Sequence, residues 1–215
     1  MLTDVLPVSI DHALVLVEDW LGTYITRPHS LIGRPGPVCP FVEPAQRMGS
    51  LETRVRLVGS SPSAALMTEL MRCALDEFDD IEWKASNPNL HALLVVLPDL
   101  ARDSLEVLDQ AHAAVKSESV HRGMMIGQFH QDCDEVAARN PDFAVSRSPV
   151  PLFAIRSMAV HDVLFLSGRE DWFMVYATRF GSRYWKGARG VDPVLVTQFD
   201  KACAAYGIQP PAVAT

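Results

Sequence analysis

The chain has 215 residues, 48% hydrophobic and 21% charged, enough for one domain with a sizeable core and too apolar for a disordered segment. A formal charge of −7 excludes a broad basic face, and with it a nucleic-acid footprint or attachment to anionic membranes. The start of the chain carries Asp4 and Pro7 instead of a basic leader, and the longest interior apolar run, Leu93 to Leu97, is too short to span a bilayer.

Cys39, Cys73, Cys133 and Cys203 are scattered, with no C-x-x-C pair. They read as reduced thiols, so the cytoplasm is the expected address.

Residues 10–26 predict an amphipathic helix, with Ile10, Leu14, Val17, Leu21, Tyr24 and Ile25 on its apolar face. From 27 to 50 the prolines and glycines forbid long regular structure. Leu31, Ile32, Val38, Phe41 and Val42 nevertheless predict an ordered loop packed on the sheet. Thr53 to Val58 alternates as a strand, with Val55 and Leu57 on one side and Arg54 and Arg56 on the other. Ser61-Pro62 then predicts a helix start, with a face of Leu66, Met67, Leu70, Ala74 and Phe78.

His91 to Leu97 reads as a central strand. A helix from about Leu100 to Lys116 follows, burying Leu105, Leu108, Ala111 and Val115, and then a strand from Gly123 to Phe129. His112 and His121 fall on an exposed helix face and beyond its end, and Cys73 and Cys203 on apolar helix faces. The last third reads as helical. Ser148-Pro149 opens one helix with Leu152, Ile155 and Ala159 on its apolar side, and Trp172 to Tyr184 forms the aromatic stripe of another. Asp192-Pro193 and Gly207 bracket the last helix.

These elements define an α+β fold: a small central sheet of about three to five strands with helices packed on it. Two parallel strands joined by a right-handed crossover are expected at its centre. The whole of 1–215 is expected to form one globular domain, with 1–9 and 208–215 as frayed ends.

Three segments carry candidate chemistry. Cys39 lies between Pro37 and Pro40, on a backbone stiffened from both sides. A thiol so held suits a nucleophile, a metal ligand or a thiolate ligand to haem, with Arg34 nearby. It also suits a small buried apolar residue. His130 follows the third strand, where ligand groups often sit, and is the natural acid/base or ligand. Asp132, Cys133 and Asp134 beside it superficially resemble a metal cluster, but Asp132 and Asp134 are expected to face water, and no metal ligand is assigned. Arg147 and Ser148, before an expected helix N-terminus, suit a carboxylate or phosphate, or plain capping with a surface ion pair.

Taken together, Cys39-Pro40-Phe41, Phe129-His130 and Arg147-Ser148-Pro149-Val150-Pro151 resemble bacterial domain-of-unknown-function families from roughly Trp20 to Met158. Those families often have His-Pro-Asp where this chain has His130-Gln131-Asp132. The resemblance implies that Cys39, His130 and Arg147 form one site, and it names no substrate.

The expected function is that of a small cytoplasmic enzyme acting on a small anionic metabolite. Cys39 and His130 would be the catalytic pair, and Arg147, Arg34 and Ser148 the substrate contacts. A haem protein with Cys39 or His130 as axial ligand, and a non-catalytic binding or accessory protein, are the alternatives. The expected partner is a small molecule, without nucleic acid or membrane, and homo-oligomers are left open.

Overall fold

A computed structural model describes residues 9–209. Their contacts form two compact units. The first holds the chain up to Lys116 together with Met125–Ser157, and the second holds Ser117–Met124 and the chain from Met158 onward.

In the first unit, α1 (Ile10–Trp20) starts at Ser9, whose hydroxyl accepts the His12 N–H. The helix then widens into a π-helical turn, Leu21–Ile25. Ala13, Val17, Trp20, Leu21 and Ile25 form its buried stripe, while Ile10 stays exposed. The loop of 27–50 is ordered: Pro28 bridges Pro37, and the Val38 and Cys39 N–H groups donate to the Arg27 and Ile25 carbonyls. A 3-10 turn at Ser30–Ile32 and a short helix, α2 (Val42–Arg47), lie within it.

Strand β1 (Leu51–Val55) begins two residues before the expected start, and Leu57 is exposed beyond its end. Helix α3 (Ala64–Asp80) is capped by Ser63, not Ser61, because the Ser63 hydroxyl is the one that accepts the Leu66 N–H. Its buried face is Met67, Met71, Ala74, Leu75 and Phe78, which leaves Leu66 outside and Cys73 on the exposed side. Next come β2 (Ala92–Val96), α4 (Glu106–His121), β3 (Met124–Phe129), a hairpin of β4 (Val136–Ala137) with β5 (Asn140–Ala144), and β6 (Leu152–Ser157).

The main sheet is mixed and four-stranded, in the order β1-β2-β6-β3. Its β1–β2 pair is parallel and its β2–β6 pair antiparallel. The segment after Ser148-Pro149 is therefore a strand and not a helix. Leu152, Phe153 and Ile155 are all fully buried. A strand inserted between two others buries both faces, so its apolar run mimics a helical stripe at 152 and 155.

Two layers flank the sheet. Leu94, Val96 and Leu152 pack with α1 and the π-helical turn in one cluster, joined by Val38, Cys39, Val42 and Phe129. Leu93 and Val95 point the other way along β2, where α3 packs on β2 and β6. Helix α4 lies against β3, with His112 and Lys116 both reaching the Ile126 carbonyl.

The second unit is helical, with α5 (Val163–Leu166), α6 (Glu170–Trp185) and α7 (Pro193–Tyr206). Phe173, Tyr176 and Tyr184 of the aromatic stripe are core residues around Phe199. The buried Tyr176 and Tyr184 hydroxyls bond each other and both reach the Val160 carbonyl. Asp192 caps α7 and Gly207 ends it in the left-handed region, as the sequence pattern predicts. Among the described residues no helix is long and apolar enough to cross a membrane. Of the frayed ends expected at 1–9 and 208–215, residues 1–8 and 210–215 lie outside the described residues, while Ser9 caps α1 and the Ile208 N–H donates to the Cys203 carbonyl.

Candidate functional site

Cys39 is half-buried on the α1 side of the sheet, against the cluster of Val17, Leu94 and Leu152. Arg34 turns its guanidinium onto the backbone of its own loop. It donates to the carbonyls of Pro35 (3.1 Å) and Val38 (2.9 Å) and so braces the loop.

His130 sits on the other side. Phe129 packs into the α1-side cluster with its ring edge-on to Trp20, whereas His130, the residue after β3, reaches α4. There the His130 Nε2 lies 3.0 and 3.2 Å from the two carboxylate oxygens of Asp109 on α4. The two residues expected as one catalytic pair thus occupy opposite faces, and the structure does not bring them together.

Arg147 lies in the connection to β6, so no helix N-terminus supports it as an anion site. Ser148 is buried and donates its hydroxyl to the Val150 carbonyl. Arg147 itself is lightly held. Its side chain is 59% exposed, and its contacts to the Cys133 carbonyl (3.4 Å) and Asp134 (3.5 Å) are long. It borders an open groove of about 550 Å³ lined by Trp20, Tyr24, Asp142, Phe143, Ala144 and Arg147. Tyr24 and Trp20 are fixed there by donating to the Val145 and Arg147 carbonyls, both at 2.9 Å. His29 stacks on Phe143 with ring centres 4.4 Å apart. Neither Cys39 nor His130 lines this groove.

A second constellation surrounds His130. One ligand atom each from Asp109, His130 and Cys133 lie within 4.8 Å of one another. Cys133 is buried, its thiol 3.9 Å from the Gln128 carbonyl. Burial pushes that thiol up to about 11, so it is protonated at neutral pH and unsuited to act as a free nucleophile. Asp132 is outside this cluster: it pairs with Arg102 at 2.6 and 2.8 Å, which holds its carboxyl below the usual range.

His112 is not on an exposed face. Its ring is half-buried beside β3, with Nε2 3.0 Å from the Ile126 carbonyl, and His121 is the last residue of α4.

Sequence reasoning passed over Asp109, Trp20, Tyr24 and Phe143. For Asp109 a signal existed: it shares the helical face of Leu105, Leu108 and His112, where a carboxylate facing the sheet needs a partner. Trp20, Tyr24 and Phe143 carried none, since aromatic side chains at core-like spacing are read as core.

Fold and groove define an α+β protein with a mixed four-stranded sheet and an aromatic, arginine-edged concavity. The chain belongs to the family described as a domain of unknown function (DUF6875), whose model matches residues 14–190. This agrees with the resemblance to uncharacterised domain families and assigns no reaction. No curated protein and no solved structure matches the chain.

Proposed function

We propose that the chain binds a small anionic metabolite with an aromatic or apolar body in the groove of Trp20, Tyr24 and Phe143, with Arg147 as the anion contact. The observation that carries this is the lightly held, exposed guanidinium at the edge of an aromatic wall. A guanidinium with only long contacts can turn its planar fork onto a carboxylate or phosphate. The rings supply flat apolar area already held in place, Trp20 and Tyr24 by hydrogen bonds and Phe143 by stacking on His29, so little ordering is needed on binding.

Binding is favoured over the expected cysteine catalysis because Cys39 and His130 face opposite sides of the sheet. Four unpaired thiols fit a reducing compartment, and the cytoplasm is the setting this reading assumes.

The test is calorimetric titration of the full chain with benzoate and with phenyl phosphate. Binding of either, weakened roughly 10-fold or more in Arg147→Gln, is the expected result. Equal affinity in Arg147→Gln, or no binding of either probe to the wild-type chain, overturns the reading.

A further inference from the structure

Asp109, His130 and Cys133 come from α4, from the residue after β3 and from the turn that follows it. Imidazole, thiol and carboxylate therefore meet through folding, not through sequence adjacency. Their ligand atoms lie within 4.8 Å of one another, a spread that a small inward movement would close to the N, O and S positions around one ion. Asp109 is 42% exposed, which gives the buried pair an opening to solvent.

An independent observation concerns the ring of His130. Its side chain is 3% exposed, and Nδ1 is a buried atom with no hydrogen-bond partner. Asp109 meets only Nε2, so an ion at Nδ1 requires the partly exposed carboxylate to leave Nε2 and turn to it. Buried polar atoms are almost always paired, and one left bare marks a site where a partner belongs. Arg102 and Arg147 do not fill that role, since they contact Asp132 and, in the case of Arg147, the Cys133 carbonyl and Asp134.

We propose that Asp109, His130 and Cys133 form a binding site for a borderline divalent cation, Zn²⁺ by donor type. Imidazole and sulfur select such ions over Mg²⁺ and Ca²⁺, which require oxygen cages. As the cation binds, one proton leaves the Cys133 thiol for solvent and the sulfur–metal bond forms. Three protein donors leave a fourth tetrahedral position to water or to a ligand entering past Asp109. The proposal is independent of the groove, which none of the three residues lines.

The experiment titrates the metal-free full chain with Co²⁺ and follows absorbance. The expected result is a near-ultraviolet thiolate-to-cobalt charge-transfer band that saturates and is abolished by competing Zn²⁺. Cys133→Ser should remove the band, and His130→Gln and Asp109→Asn should each weaken cobalt binding about 10-fold or more. Cys39→Ser should leave it unchanged. Absence of the band in the wild-type chain, or its survival in Cys133→Ser, overturns the proposal. Asp109→Asn is nearly isosteric at a partly exposed position, so a folded Asp109→Asn chain with unchanged cobalt affinity overturns it as well, even where Cys133→Ser fails to fold.

Discussion

The indole Nε1 of Trp20 donates to the carbonyl oxygen of Arg147 at 2.9 Å, across 127 residues of sequence. One bond thus ties the end of α1 to the segment that presents the guanidinium. Trp20→Phe keeps most of the buried ring area but leaves that carbonyl without its donor. It should cost about 1–2 kcal/mol in urea unfolding. It should also weaken binding of the groove probes, because the backbone under Arg147 is then less fixed. A stability loss with probe affinity untouched would separate the bond from the groove.

Cys39→Ser tests the loop in the opposite sense. The thiol packs among apolar side chains on the α1 side, away from His130. A hydroxyl in its place should cost about 1 kcal/mol and leave probe binding intact. Loss of probe binding with stability unchanged would return Cys39 to the site.

Gly33 closes the 3-10 turn at φ +75°, and a Cβ there would lie 2.8 Å from the Arg139 Cβ and 2.9 Å from its carbonyl oxygen. Both terms act against a side chain: the left-handed backbone and the close approach of the hairpin. Gly33→Ala should destabilise by more than about 1 kcal/mol, read from the thermal midpoint. An unchanged midpoint would show that the loop and the hairpin part without cost.

His112 should give stability a pH dependence. Burial pushes its imidazole down from 6.5 to about 4; Lys116 adds to the effect, while the Ile126 carbonyl and Asp109 oppose it. Between those two values the unfolded chain holds a proton that the folded chain does not. The contribution is therefore fully present above the upper value and is lost as pH falls through the lower one, by roughly 3 kcal/mol in total. His112→Gln, which can still donate to the carbonyl, should flatten the denaturation profile across that window. An unchanged slope would assign the dependence to other groups.

Where local signals agreed with the final environment, the sequence was readable. The cap of α7 at Asp192 and its stop at Gly207 follow from side-chain and backbone chemistry within a few residues, and both formed as patterned. Leu105, Leu108, Ala111 and Val115 identified the buried face of α4 because a helix against a sheet needs a single stripe. The largest exception was the stretch from Val136 to Ser157. Ser148-Pro149 is a good helix opening by local preference, yet pairing with β2 and β3 outweighed it.

The sequence by itself determined an α+β protein with scattered cysteines, a net negative charge and an ordered proline-rich loop. It also marked His130 and Arg147 as unusual. What it did not determine was which residues meet. Phe129 and Cys39 pack in the α1-side cluster, while His130 pairs with Asp109 on α4. That choice depends on strand order and on the hand of the crossovers, which are properties of the assembled sheet. Only the tertiary structure could make it, because side chains tens of residues apart acquire a distance only when the strands between them have been placed.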